Sequence, residues 1–160
     1  MIVADTNLIA YYLIEGEKTA ESRAVRARDP HWLAPLLWRY EFKNILVLHG
    51  RRSRIPHSHL IRLWEEATEI LAHGEFSPQA ETVLQIAGEH HISAYDAEFV
   101  ALAREQGVPL VTTDAELLSK FPGMAQSPAD FIRRRDPPIE IREKPGAYGK
   151  RRRGKRVESS

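Results

Sequence analysis

Cysteine is absent from the sequence, so disulfide bonds and thiolate metal ligands are excluded. Long apolar runs are absent too: residues 36–48 form the most apolar stretch, and polar or charged side chains interrupt it. A helix that crosses a membrane needs about 20 consecutive apolar residues, so no membrane span is predicted. The amino-terminal residues, 1–5, carry no basic segment and no apolar run of signal-peptide length. Together these absences predict a cytoplasmic protein.

The chain of 160 residues is long enough for one domain with a single hydrophobic core. Its net charge of +1 conceals an asymmetry. Residues 1–132 contain 12 Lys and Arg against 18 Asp and Glu, a net −6, whereas residues 133–160 contain 11 against 4, a net +7. Few apolar residues follow Ile132. We therefore predict a folded acidic domain over residues 1–132 and a basic, disordered tail over residues 133–160.

Short apolar segments alternate with amphipathic stretches along the acidic part of the chain. The predicted strands are residues 2–4, 32–34 and 109–112, with further short strands at Phe76 and residues 123–126. Helices are predicted between them. This alternation is typical of an α/β domain, with a short, mostly parallel central sheet and helices on both faces.

Three local features follow from turn and cap preferences. Thr6 is predicted to cap the first helix. Pro35 is predicted to be the first residue of a long helix that ends near His49, because proline suits that position. The residues after it, 50–54, then form a basic loop between two helices.

Two acidic residues follow predicted strands directly or closely. Asp5 comes after the first strand and Asp114 after the strand at residues 109–112. The carboxyl ends of strands are where open α/β sheets form ligand sites. If the two strands are neighbours, we expect these carboxylates to converge on one crevice.

Two more acids stand on helix faces that should be apolar, Glu41 and Asp96. Apolar residues lie at helical spacing from both: Leu37, Ile45 and Leu48 around Glu41, and Phe99, Val100 and Ala103 after Asp96. A carboxylate in apolar surroundings must be paired, protonated or bound to a metal ion. No partner lysine or arginine is evident for these two acids.

Four carboxylates of this kind predict an acidic site for a divalent cation. Oxygen ligands without cysteine favour Mg²⁺ or Mn²⁺ over Zn²⁺. Such ions activate water and stabilise a leaving oxygen, which suits phosphodiester hydrolysis. The alternative for any single position is structural, because an aspartate at a strand end is most often a helix cap. Asp114 could simply cap the residues that follow it.

Four blocks of the chain resemble, in order, the motifs of the PIN-domain family, and within it the VapC-type ribonuclease toxins of type II toxin–antitoxin modules. The blocks are IVADTNLI at residues 2–9, EFKNIL at 41–46, ISAYDAEFVALA at 92–103 and PLVTTDAEL at 109–117. The resemblance covers nearly the whole acidic part. Each block alone is weakly specific, whereas all four together are strong evidence.

The resemblance implies a PIN-like fold and a catalytic, metal-binding quartet formed by Asp5, Glu41, Asp96 and Asp114. It implies that Asn7 and Thr112 support this quartet by hydrogen bonding. The implied activity is hydrolysis of single-stranded RNA by water activated on Mg²⁺ or Mn²⁺, without a covalent enzyme intermediate. The implied partners are a second copy of the chain and a small antitoxin whose carboxyl-terminal segment enters the acidic cleft.

Two basic clusters are possible RNA contacts, since lysine and arginine bind phosphates. They are Arg51, Arg52 and Arg54 in the predicted loop and Arg151, Arg152 and Arg153 in the tail. For the tail, a solvated segment with general affinity for polyanions is an equal alternative, and the resemblance does not explain it. For Arg51, Arg52 and Arg54, a charged loop that only connects two helices is the commoner case. Two alternative functions stay open: a non-catalytic RNA-binding protein that uses the fold and tail, and an Mg²⁺-dependent phosphatase. The phosphatase would require a second aspartate where this chain has Asn7.

Overall fold

The computed structural model describes residues 1–134. The predicted tail from residue 135 onward, including Arg151, Arg152 and Arg153, lies outside the described residues. Strands and helices alternate along the described part. The strands are β1 (Ile2–Ala4), β2 (Trp32–Pro35), β3 (Glu75–Phe76), β4 (Leu110–Val111) and β5 (Ala125–Gln126). The helices are α1 (Thr6–Leu13), α2 (Thr19–Arg28), α3 (Trp38–Ser53), α4 (His57–Ile70), α5 (Ala80–His90), α6 (Ala94–Gln106), α7 (Ala115–Lys120) and α8 (Pro128–Arg133).

The five strands form one parallel sheet in the order β3-β2-β1-β4-β5. Val3 of the central strand pairs with Leu33 on one side and Leu110 on the other. The chain therefore builds the sheet first to one side of β1 and then to the other. The boundary between β1 and β4 is the point where strand order reverses, which is where such sheets open a crevice.

The sheet divides the core into two layers, because side chains on a strand alternate between its faces. Ile2 and Ala4 face one layer and Val3 the other. Helices α1, α2, α3, α4 and α8 contribute to the first layer, and α5, α6 and α7 to the second. The predicted α/β fold with helices on both faces is confirmed. No helix within residues 1–134 has the length and apolar character needed to cross a membrane.

Two predicted helix starts are wrong. Asp5, not Thr6, is the N-cap of α1, and its side chain accepts a hydrogen bond from the Asn7 backbone N–H. Pro35 is the last residue of β2, where it pairs with Phe76, and α3 begins only at Trp38. Proline preference is local, and pairing with β3 overrides it here.

The predicted basic loop at residues 50–54 is also wrong. Helix α3 continues through Ser53, and Arg54 ends it in a left-handed conformation. Arg51 and Arg52 therefore lie in the last helical turn, where positive charge interacts favourably with the helix dipole. A glycine within a helix weakens it, but Gly50 allows close approach: a Cβ there would come within 2.7 Å of Leu60 in α4.

Candidate functional site

The carboxylates of Asp5, Glu41, Asp96 and Asp114 line one cleft of about 260 Å³ at the carboxyl edge of the sheet. Asp5 and Asp114 follow the neighbouring strands β1 and β4, and Glu41 and Asp96 come from helices on opposite faces. The predicted convergence of Asp5 and Asp114 is therefore confirmed, and it occurs where the strand order reverses. We call this feature the acidic cleft.

The two strand-end acids are linked by one buried hydroxyl. Thr112 Oγ1 donates to Asp5 Oδ2 at 2.7 Å and accepts from the Asp114 backbone N–H at 3.0 Å. Thr112 itself is fully buried. Asp114 Oδ1 accepts from the Leu117 backbone N–H at 2.9 Å, so Asp114 does cap α7. Asp114 can thus cap α7 and line the acidic cleft at the same time.

The two helix acids are each held by a hydroxyl as well. Thr6 Oγ1 donates to Glu41 Oε2, which joins α1 to α3. Ser93, the N-cap of α6, donates to Asp96 Oδ2 at 2.6 Å and accepts from the Asp96 backbone N–H at 3.0 Å. Three carboxylates of the acidic cleft therefore have a hydroxyl donor that fixes one of their oxygens.

Each acid of the cleft sits at the amino-terminal end of a helix. Asp5 and Asp114 are the N-caps of α1 and α7, whereas Glu41 and Asp96 lie in the first turns of α3 and α6. Helices α1, α3 and α7 each follow a parallel strand and so begin at the carboxyl edge of the sheet, whereas α6 follows α5 and brings Asp96 of its first turn to the same cleft. The partial positive charge at each N-terminus stabilises a nearby carboxylate. The fold thereby offsets part of the repulsion among the four acids.

This compensation is incomplete for Asp5 and Glu41. Burial raises the pKa of both carboxyls, and the hydrogen bonds from Thr112 and Thr6 oppose that rise. Neighbouring carboxylates of the cleft raise the pKa of both groups further. Among residues 1–134, no lysine or arginine lines the acidic cleft and none pairs with the quartet. The cleft therefore has an excess of negative charge that a bound cation would neutralise.

The donor set of the acidic cleft fits Mg²⁺ or Mn²⁺ by its chemistry, since the titratable groups lining it are carboxylates. The positions of these groups are more open than a formed site. Within the described residues 1–134, no three His, Asp or Glu side chains are placed so that they could hold a metal ion together. Mg²⁺ usually keeps several waters and is bound by one or two carboxylates, so this spacing is compatible with a hydrated ion.

The apolar surroundings of Glu41 differ from those predicted. The buried stripe of α3 consists of Trp38, Phe42 and Leu46, whereas Leu48 is 47% exposed. Glu41 lies beside this stripe, at the margin of the core. For Asp96 the predicted inward face is confirmed, because the apolar residues at helical spacing from it are buried: Phe99, Val100 and Ala103.

The other predicted site residues divide into two groups. Thr112 contacts Asp5 through its side chain, but Asn7 contacts it through its backbone N–H only, at 3.5 Å, and its exposed side chain lines the cleft. Arg52 lies at a neighbouring cavity, and Arg51 and Arg54 are exposed. None of these three arginines lines the acidic cleft.

Sequence reasoning missed two hydroxyls of the site. Ser93 was detectable, because serine followed three residues later by an acid is a capping pattern at a helix start. Thr6 was not, because it contacts Glu41 on another helix, and the two residues are 35 positions apart in the chain. A side chain that acts across such a distance leaves no local pattern.

Comparisons with known proteins identify relatives of this chain in sequence and in fold. A model of the PIN domain matches residues 2–123. Ribonuclease VapC3 of Pyrobaculum aerophilum is 31% identical over 128 residues, which cover 77% of this chain and 96% of that protein.

Two solved structures share the fold. The protein PAE2754 of Pyrobaculum aerophilum aligns with a TM-score of 0.65 and 22% identity. The alignment covers 82% of this chain and 87% of the PAE2754 chain. A toxin–antitoxin complex from Klebsiella pneumoniae aligns with a TM-score of 0.57 and 19% identity, covering 80% of this chain and 98% of the matched chain. At these identities the structural likeness shows the fold.

Proposed function

The chain belongs to the PIN domain family, and from this premise we propose that it is an endoribonuclease that hydrolyses single-stranded RNA with a divalent metal ion. The observation that carries the proposal is the acidic cleft, in which four carboxylates converge without a cationic side chain among the described residues. The similarity of the chain to ribonuclease VapC3 supports RNA as the substrate. We also propose that it acts as the toxin of a toxin–antitoxin pair in the cytoplasm.

In this proposal Asp5, Glu41, Asp96 and Asp114 hold Mg²⁺ or Mn²⁺. The bound ion supplies water activation and charge neutralisation at the scissile phosphate. Thr112 orients the Asp5 carboxylate and ties it to the Asp114 backbone, while Thr6 and Ser93 restrain Glu41 and Asp96. Asn7 presents its side chain at the cleft, where it can contact the RNA.

The charge of the cleft argues against the alternatives. An RNA-binding protein without catalysis would gain nothing from four acids facing a polyanion, because like charges repel. A phosphatase would require an aspartate at position 7, and Asn7 stands there. Hydrolysis that needs a cation to bring phosphate and carboxylates together is the function that these residues support best.

The test uses the purified full chain with labelled single-stranded RNA, the matching duplex and single-stranded DNA. Each is incubated with Mg²⁺, with Mn²⁺ or with EDTA, beside a phosphomonoester. We expect internal cleavage of the single-stranded RNA that requires the ion. Binding without cleavage would support the non-catalytic alternative, and release of phosphate from the monoester would support a phosphatase.

Two protein partners are proposed, a second copy of the chain and an antitoxin. The matched chain of the Klebsiella pneumoniae toxin–antitoxin complex has the same fold, which supports the antitoxin as a partner. An antitoxin arginine could pair bidentately with the carboxylates of the acidic cleft. Light scattering of the purified protein gives its molecular mass in solution and so tests the first proposal, a dimer. The second proposal is tested by adding an arginine-bearing antitoxin peptide to the cleavage assay, where it should inhibit RNA cleavage.

The basic clusters are proposed to increase RNA affinity rather than to catalyse. Within the described residues, α8 is anchored by Arg28, which donates to the backbone carbonyls of Ile132 and Arg134. A chain truncated after Arg134 therefore keeps α8 and its anchor. This truncated chain is compared with the full chain in the cleavage assay. We expect it to cleave short RNA normally and to bind RNA more weakly at low salt.

Thr112→Val tests the link between the strand-end acids. Valine keeps the shape of threonine but removes the bond to Asp5 and leaves the Asp114 backbone N–H without its acceptor. Loss of such a supporting contact costs about 10- to 100-fold in metal affinity or activity. We expect a loss of this size in kcat/KM, with Thr113→Val, the neighbouring residue, as the control. Equal activity of the two variants would contradict the role of Thr112.

The raised pKa values of Asp5 and Glu41 predict a pH-dependent stability without metal. Burial raises both pKa values above those of the unfolded chain, so the ionised carboxyls destabilise the fold and stability falls as pH rises through the raised values. Asp5→Asn removes one of these charges and keeps a good N-cap. In EDTA we expect the variant to have the higher Tm at mildly alkaline pH, and the difference to vanish in acid. A constant difference across pH would contradict the assignment.

A further inference from the structure

A second cavity, of about 480 Å³, adjoins the acidic cleft. It lies between the carboxyl-terminal end of α1, the turn that leads to α2, and the second half of α3. Asn7 and Ile45 line both this cavity and the acidic cleft. The two spaces therefore lie side by side and share these two residues as a common wall. We call this second space the side cavity.

The side cavity combines an apolar floor with polar groups at its rim. Ala10, Ile14, Ile45 and Leu48 supply aliphatic surface. Tyr11 adds a half-buried aromatic ring, and the Lys18 ammonium lies 4.8 Å from the centre of that ring. Apolar walls with a few polar groups, in a volume of this size, are typical of sites for small organic groups.

The charge of the side cavity differs from that of the acidic cleft. Lys18, His49 and Arg52 line the cavity, whereas no basic side chain lines the cleft within residues 1–134. Two acids line the cavity as well, and one of them, Glu15, pairs with Arg23 at 3.0 Å. Cationic groups thus stand beside the cleft, where the phosphates that flank a scissile bond would lie.

We propose that the side cavity is a nucleotide subsite, which takes the unstacked base next to the scissile phosphate of a single-stranded RNA. Tyr11 and the aliphatic floor contact the base, and Lys18 and Arg52 contact its flanking phosphate. This inference rests on the proposed function. Single-stranded RNA is recognised chiefly through splayed bases that stack on aromatic or guanidinium groups. Because the side cavity shares Asn7 and Ile45 with the acidic cleft, a base bound in it would lie beside the four carboxylates.

The alternative occupant is an apolar side chain of a protein partner. The aliphatic floor would suit either, but the basic rim and the continuity with a phosphate-processing cleft favour a nucleotide. A protein occupant would make no use of RNA bases. The two possibilities therefore differ in how cleavage depends on the base at each position of the substrate.

The test pairs base removal in the RNA with ring removal in the protein. A short single-stranded RNA that the wild type cleaves is made with one abasic nucleotide at each position in turn. Cleavage is measured for wild type, Tyr11→Leu and Tyr40→Leu. Tyr40 is the matched control, because it also carries a lysine over its ring, Lys43 at 4.7 Å, but lines neither cavity nor cleft.

We expect one abasic position to lower kcat/KM by about tenfold or more for wild type and Tyr40→Leu. For Tyr11→Leu the same abasic position should cost no more than about twofold, since the base has lost its contact. Equal abasic costs in all three proteins at every position would overturn the subsite and leave the cavity to a protein partner. Absence of RNA cleavage by the wild type would instead overturn the proposed function.

A charge variant tests the same subsite without altering the half-buried tyrosine. Arg52→Gln should weaken RNA binding and lower the dependence of log affinity on log salt by about one. Arg62→Gln is the control, because Arg62 is exposed on α4 and lines neither space. An unchanged salt dependence in Arg52→Gln would contradict a phosphate contact at the side cavity.

Discussion

Asp5→Asn is expected to lower the rate of RNA cleavage by about 100- to 1,000-fold, as removal of a group that stabilises developing charge does in other enzymes. Asparagine is nearly isosteric with aspartate. With its single amide oxygen it can keep the N-cap of α1 but loses the acceptor for the Thr112 hydroxyl, because Asp5 uses Oδ1 for the first contact and Oδ2 for the second. It removes one negative charge from the donor set for the cation. Asp96→Asn should have an effect of similar size, since Ser93 can still bond to the amide oxygen.

The control for this loss is Glu116→Gln, two residues from Asp114. Glu116 is exposed and forms a surface ion pair with Lys120 at 2.6 Å, an interaction that contributes little to stability. We expect its cleavage rate to stay within about twofold of wild type. Thermal unfolding of all variants separates lost chemistry from lost folding. Wild-type rates for Asp5→Asn at saturating Mg²⁺ would contradict the assignment of the quartet.

Gly74→Ala is expected to destabilise the fold by about 2 kcal/mol or more. Gly74 precedes β3, and its carbonyl accepts from the Ala34 backbone N–H at 2.9 Å. A Cβ at this position would lie 2.2 Å from the Trp32 carbonyl oxygen. The backbone of β2 cannot move aside as a flexible side chain would, so β3 would be displaced from the sheet edge.

Gly88→Ala is the matched control. Gly88 lies within α5, and nothing stands within 4 Å of a Cβ built there. Alanine in a helix interior is more stable than glycine by about 0.5–1 kcal/mol, so this variant should be slightly stabilised. Urea unfolding of both variants measures the difference. A Gly74→Ala protein as stable as Gly88→Ala would show that the close contact is relieved at no cost.

The acids of the cleft were predictable for two physical reasons. Asp5 and Asp114 end apolar strands, and parallel topology brings such ends to one edge. Asp96 heads a helix face that proved to be buried. For Glu41 the resemblance was more reliable than periodicity, because the buried stripe of α3 runs one residue away from the predicted one. Local patterns identify the element, and tertiary packing decides which side is inside.

Features that depend on distant contacts were beyond sequence reasoning. Pro35 extends β2 because β3 pairs with it, although a local preference favours a helix start. The hydroxyl of Thr6 reaches Glu41 on another helix. The side cavity depends on the packing of α1, the following turn and α3, which are separated in the chain. Each of these features is a consequence of tertiary structure and has no counterpart in spacing.

The proposed assignment of the cation to the four carboxylates makes RNA cleavage dependent on that ion. It is tested most directly by titrating metal-free protein with Mn²⁺, with free ion followed by electron paramagnetic resonance and cleavage of single-stranded RNA followed in the same samples. We expect cleavage to be absent in EDTA, to increase in proportion to Mn²⁺ binding, and to be lost together with that binding in Asp5→Asn. Cleavage that persists in EDTA, or Mn²⁺ binding that is unchanged in Asp5→Asn, would contradict the assignment.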